Sequence, residues 1–389
     1  MQKYFLIFIL LGALSAHSQE SSLELNGDIG LFNTSINAKL LSESYGFLDT
    51  QEKYNIIGAL QEENELAFEA NNSLRYQNKN GWGLSLSNHI GSYATYPKTL
   101  VQLSLLGNAP FKGESLKLDP LRLTAFNYSQ INFSYKWSRT IETSIGVLFG
   151  HQLLRLNTNN ACFYTDDNAE FINYQLDFEA HYSDTSNVLN NPFKSNGYGA
   201  TFGISYKDSI NNGNIEVSLS DIGFIRWNEK TTNMHIESQY NFEGINVDDF
   251  ISFNDSILSN ERDSVSDQLK TNLKESYIWR LPSRIRMSIN QPLNFSIAKA
   301  YTLAIEHRMY LYKYPRLSLD INNNIKNHHF AFGYHVGGIE KGGFQLAYLY
   351  KGKKTQFKLF TKQANAVAPS QNYGLHIGFG IKRVFSSSK

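Results

Sequence analysis

The stretch from Tyr373 to Phe385 reads YGLHIGFGIKRVF, and its alternation narrows the possible folds more than any other feature of the chain. Tyr373, Leu375, Ile377, Phe379, Ile381 and Phe385 fall on one face. Gly374, His376, Gly378, Gly380 and Lys382 fall on the other. A strand turns successive side chains to opposite faces, so one side is apolar and the other small or polar. In a soluble sandwich the apolar face would be core. In a membrane barrel it meets lipid, and the glycines face a crowded lumen. Phe385 lies four residues from the end, as expected of a closing outer-membrane strand that finishes on an aromatic.

The first residues favour export. Lys3 gives a basic start, Tyr4 to Leu14 an apolar run, and Ala16-His17-Ser18 a small-x-small site before Gln19 or Glu20. We read residues 1–18 as a secretory signal and exclude them from the fold. The single cysteine, Cys162, lies far from that site, which leaves neither a lipid-anchor cysteine nor a disulfide. No later segment has the roughly 18 consecutive apolar residues of a spanning helix. A mean hydropathy of -0.36 looks soluble, but half of every barrel strand faces water, so barrels look soluble on such scales. Aromatic residues make up 14% of the chain, with Tyr 23 and Phe 26, a share that interfacial girdles explain. We assign Trp82, Trp137, Tyr206, Trp227, Trp279, Tyr348, Tyr350 and Phe385 to such girdles. The balanced charge of +1 argues against nucleic-acid partners.

Alternating segments recur along residues 19–389. We expect about 14 strands, starting near Ser22, Leu66, Trp82, Phe126, Ile141, Tyr198, Asn214, Ser283, Ala300, Pro315, His328, Gly343, Thr355 and Tyr373. The fold class is therefore an all-β transmembrane antiparallel barrel, and an even strand count suits closure. Short links at Gln77–Gly81, Ser138–Thr140, Asp208–Gly213, Asn323–Asn327 and Gly352–Lys354 carry turn residues. Longer ones run over Ser92–Ala125, Leu153–Gly197, Gly223–Pro282 and Thr361–Asn372. Outer-membrane barrels sort their links this way, short inside and long outside, whereas a sandwich has no reason to. Residues 37–64 show helical spacing and are a candidate plug or cap. Residues 223–282 form a long external excursion, with a helical acidic stretch expected at Ile245–Glu275. Leu153–Tyr182 is expected to make a hairpin with its tip at Thr165–Asn168.

Charged and polar residues on the water-facing side of the late strands are the lumen-lining candidates: Arg284, Arg286, Glu306, Arg308, Arg316, Asp320, His335, Lys358, His376 and Lys382. One reading is salt-bridged packing of a narrow, filled lumen. The other is a path for anionic or amphiphilic solutes. No motif fixes Ser87, His89, His335 or His376 into a hydrolytic constellation, so no catalytic residue is assigned. His328 and His329 point to opposite strand faces and cannot chelate together. Asp166-Asp167 and Asp248-Asp249 lack calcium-loop spacing. No metal or cofactor is expected.

The stretch SLSDIGFIRW, Ser218 to Trp227, resembles an uncharacterised family of Bacteroidota outer-membrane barrels named only as a domain of unknown function. Supporting segments are Tyr240 to Ile245, Leu281-Pro282-Ser283, Tyr96-Pro97, Gly107-Asn108 and Asn127-Tyr128-Ser129. The family is broadly similar to barrels of the long-chain fatty-acid transporter type. The resemblance covers about Asn64 to Phe385, while the early segment lacks the Asn-Pro-Ala start such proteins often carry. It implies an outer-membrane barrel but no catalytic residue. By that analogy we expect a monomer in outer-membrane lipid that takes up a small hydrophobic or amphiphilic solute. The alternatives are an accessory barrel docking a surface protein partner through Ile245–Glu275, and, more remotely, a lipid hydrolase on the barrel wall.

Overall fold

The computed structural model describes residues 20–37, 39, 48–184, 194–243, 272–295, 298–340, 342–365 and 373–386. The candidate signal 1–18, and the acidic stretch up to residue 271, lie outside them. Strands, in chain order, are β1 (Glu20–Asn33), β2 (Glu63–Gln77), β3 (Trp82–Pro97), β4 (Ser115–Lys117), β5 (Arg122–Lys136), β6 (Ile141–Thr165), β7 (Ile172–Tyr182), β8 (Gly197–Ile210), β9 (Gly213–Trp227) and β10 (Thr232–Phe242). They continue with β11 (Asn272–Lys274), β12 (Tyr277–Arg280), β13 (Arg284–Pro292), β14 (Ala300–Arg308), β15 (Arg316–Ile325), β16 (His328–Val336), β17 (Gly342–Lys351), β18 (Thr355–Thr361) and β19 (Gly374–Ser386).

Fourteen of these close an antiparallel barrel in the order β1, β2, β3, β5, β6, β8, β9, β13, β14, β15, β16, β17, β18, β19. β19 returns to β1 with Leu25 opposite Ile381 and Ile29 opposite Ile377. Closure removes both sheet edges, the condition for β-structure in a bilayer. Alternation in the sequence becomes inside and outside here. Leu375, Ile377, Phe379 and Ile381 are exposed on the outer surface, whereas His376 is 3% exposed. A side chain at Gly378 would run into the Phe360 ring, so the glycine is the space into which that ring packs.

The links sort as expected on one rim. Asn211-Asn212 take positive φ in the two-residue turn between β8 and β9, the backbone such turns require. At the other rim two links are short, residues 309–315 and 337–341, so the wall from β13 to β18 stands low. The opposite wall rises high. β6 runs 25 residues, and its outer half joins β4 on one edge and β7 on the other. β7 in turn carries β10, and β10 carries β11. A five-stranded sheet therefore projects beyond the barrel, with the β6–β7 hairpin tip at 166–171. β11 makes strand of the described end of the expected helical stretch.

Within residues 37–64 the described helix is α1 (Thr50–Ala59). It starts on a capping box in which the Asp49 side chain accepts from the Glu52 N–H and Glu52 accepts from the Asp49 N–H; such boxes satisfy orphan helix donors. Ile56 and Ile57 are buried, and α1 touches α2 (Lys98–Leu106) at the outer rim.

The apolar core lies inside the barrel, in its outer half. Phe126, Tyr128, Leu148, Ile225, Trp227 and Trp279 pack there with Leu281 and Ile339, joined by Leu311 and Tyr312 from the folded-in 309–315 link. Trp227 is 0% and Trp279 4% exposed. Both therefore leave the interfacial girdle assigned to them, because their positions alternate inward. Trp137, at 69% exposed, sits on the outer surface at the inner rim, as a girdle residue does.

Candidate functional site

The lumen-lining candidates belong mostly to one charged layer beneath the apolar core. Glu306 on β14 holds Arg284 at 2.6 Å and Arg286 at 3.5 Å, both from β13. The next inward residue on β14, Arg308, reaches the far wall, placing Nη1 3.4 Å from Glu69 Oε1 and 3.1 Å from the Tyr93 hydroxyl. Glu69 also accepts from the Tyr93 and Tyr312 hydroxyls at 2.7 and 3.2 Å. Burial pushes the Tyr312 phenol up, which keeps it a donor. A buried carboxylate needs this many donors to offset its lost hydration.

Arg316 pairs with Glu340, and the Glu340 carboxylate lies 3.1 Å from His335 Nε2. His376 accepts from the Lys362 N–H at Nδ1, 3.2 Å away, so its proton sits on Nε2, which faces Asp28 at 3.8 Å. Asp320 accepts from Gln345 at 2.6 Å. Lys358 stands 4.6 Å from the Phe360 ring centre. Lys382 lies apart near the inner rim, its backbone paired with Glu24 and Gln356. Lys362, missed in the sequence because it follows β18 rather than alternating within it, stands half-buried among these groups. Burial, and then Arg316, push its ammonium down.

The early strands bring together residues that spacing left apart. Asn71 Nδ2 donates to Asp28, a carboxylate that can only accept. Asn71 Oδ1 therefore faces His89 Nδ1 at 2.9 Å, and His89 Nε2 accepts from the Ser87 hydroxyl at 3.0 Å. The carboxylate at one end sets the tautomer at the other. Ser129 and His151 form a second pair, 2.8 Å apart. Neither the Ser87 chain nor the Ser129 pair lines the cavity at the wall break or the larger one below the charged layer.

The wall itself breaks between β9 and β13. On β9 the inward positions are Ser218 and Ser220, then Gly223, Ile225 and Trp227. The change of phase falls at Asp221, which takes φ 59 and forms a bulge against β8. Opposite, Trp279 and Leu281 point inward, then Arg284, so Pro282 and Ser283 fall out of register. Leu281 N–H still reaches Gly223 O at 3.0 Å, and the Ser283 hydroxyl reaches Asp221 O at 3.3 Å. Proline lacks the donor that a continuous ladder would need there. Beside the break lies a cavity of 320 Å³ lined by luminal Thr124 and Arg155, by Ile278, Trp279, Arg280 and Pro282, and by Tyr310 and Leu311. It extends from the lumen, at Arg155, to the outer surface, where Ile278 is exposed. Arg155 donates to the Tyr277 hydroxyl.

Closure, the apolar outer face and the polar lumen define a transmembrane β-barrel of the outer-membrane class. The chain belongs to a family of unknown function (DUF5723), which matches residues 2–361. No curated protein matches the sequence. Among solved structures, a Pseudomonas aeruginosa FadL homologue is 8% identical over 94% of this chain and 90% of its own, with a TM-score of 0.38. The P. putida toluene transporter TodX is 10% identical over 96% and 92%, with a TM-score of 0.38. The translocator domain of the autotransporter NalP from Neisseria meningitidis is 8% identical over 98% and 95%, with a TM-score of 0.30. Similarities this low say nothing about what this chain binds.

Proposed function

We propose that the chain, exported by its 1–18 signal, passes a small amphiphilic solute through the barrel wall. The observation that carries this reading is the cavity at the wall break. Trp279, Ile278 and Leu311 offer an apolar body, and Arg155 and Arg280 offer two guanidinium groups for an anionic head. Pockets that fix orientation with few polar groups amid apolar walls are the usual form of a small-ligand site. A path straight down the axis is less favoured, because the apolar core and the Arg308–Glu69 crossing fill it.

The test is purification in mild detergent followed by mass spectrometry of bound small molecules, with Trp279→Ala and Arg155→Ala compared with the unaltered protein. Enrichment of one amphiphile class, depleted in both variants, is the expected result. Recovery of no enriched class, or equal recovery from both variants, overturns the reading.

A further inference from the structure

Below the charged layer the lumen opens again. A cavity of 620 Å³ lies against β13 to β18, within the size range of small-ligand sites. Its inner end is marked by Asn324 and Lys351, beside the short turns of the inner rim, and its outer end by Glu306 and Lys362, under the Arg308–Glu69 crossing. Its inner end therefore approaches the side of the short turns, the periplasmic side in barrels of this class, and we refer to the cavity as the vestibule.

The lining is lopsided in charge. Five cationic side chains face it: Arg286, Arg316, Lys351, Lys358 and Lys362. Glu306 and Asp320 are its two acids, and both are engaged. Glu306 is held by Arg284 and Arg286, and Asp320 accepts from Gln345. Arg316 is matched by Glu340 from outside the cavity. Lys358 and Lys362 make no ion pair or side-chain hydrogen bond among the described residues; Lys358 rests only on the Phe360 ring. Glu306, Glu69 and Asp28 act on Lys362 through space, and Glu24 and Asp320 on Lys358, but none of them touches either ammonium. Ammonium groups with no direct acceptor in a concave, low-dielectric wall leave donors unused, and with Arg286, Arg316 and Lys351 they bias the field in the cavity toward positive.

We propose that this vestibule is a binding site for a small polyanion bearing phosphate or carboxylate groups, entering from the periplasm and held by Lys358 and Lys362 with Arg286 at its side. Charge-assisted hydrogen bonds to both lysines would give their ammonium donors the direct acceptors they lack among the described residues. The site is independent of the amphiphile cavity, which lies on the other side of the crossing.

Isothermal titration of the full barrel in neutral detergent tests this, with tripolyphosphate and citrate as probes. Saturable one-to-one binding is expected for at least one probe, weakened by raising salt to about 0.5 M. The variant K358Q/K362Q should lose about tenfold or more in affinity, while K382Q, outside the lining, keeps it. Heat-modifiable gel mobility reports folding, and K362Q alone replaces the double variant if that fails to fold. No saturable binding of either probe, or equal affinity in the unaltered and lysine-substituted proteins, overturns the proposal, the second outcome placing any binding elsewhere on the barrel. Loss of amphiphile from Trp279→Ala with polyanion binding intact separates this site from the wall cavity.

Discussion

Arg308 and Glu69 meet across the lumen, Nη1 to Oε1 at 3.4 Å, from strands that are ninth and second in the circuit of fourteen. Those strands stand on opposite walls, so the contact is a girder rather than a neighbour pair. Arg308→Ala leaves the Glu69 carboxylate buried with only its phenol donors. We expect a loss of about 3–5 kcal/mol, the usual result of removing one partner of a buried pair. Tryptophan fluorescence through a urea titration measures it. Glu69→Gln in the same background should cost little more, because the charge is already unmatched. Fully additive losses would show that the two residues are not coupled.

The wall break makes a backbone prediction. Asp221 holds φ 59, where a β-branched side chain is strained. Asp221→Val should destabilise by about 1–2 kcal/mol, and Asp221→Gly should be near neutral. Urea midpoints for the two variants decide it, and equal midpoints would show that the bulge relaxes.

Much of this architecture was legible in the chain, for a physical reason. A strand that spans a bilayer has one face in lipid, so Leu375, Ile377 and Phe379 announce themselves without knowledge of any neighbour. All fourteen expected strand starts fall at or within a few residues of a barrel strand. The failures occur where a neighbour decides. Trp227 and Trp279 look like interfacial anchors until the phase shifts at Asp221 on one side of the break and at Pro282–Ser283 on the other turn them into core. Ser87, His89 and Asn71 lie on two strands, and only the β2–β3 register, Asn71 opposite His89, brings them together. The stretch most characteristic in sequence, Ser218 to Trp227 with Leu281 to Ser283, proved to be the two sides of the wall break.

The Ser87–His89–Asn71 chain has the order of a nucleophile, a base and an orienting group. Neither the wall cavity nor the vestibule is lined by it, and Tyr128 stacks on the His89 ring at 4.9 Å. We expect a fluorophosphonate probe to leave the protein unlabelled. Labelling that disappears in Ser87→Ala would instead make this serine a nucleophile and revive the hydrolase reading.

The closing strand offers the most direct test of how the lumen packs. Phe360 on β18 lies over Gly378 on β19, where any side chain would meet its ring. Overpacking forces side chains or backbone to move, typically at about 1–3 kcal/mol. Gly378→Val should therefore lower the yield of heat-modifiable, folded barrel and shift its urea midpoint downward. Phe360→Ala alone also destabilises, by about 3–5 kcal/mol if the space stays empty. In the double variant the valine occupies part of the volume the ring gave up, so its loss should fall short of the sum of the two single losses by about 1 kcal/mol or more. Additive losses would mean that the ring and the glycine do not share that space, and that His376, 5.5 Å from the same ring, is held by something other than this packing.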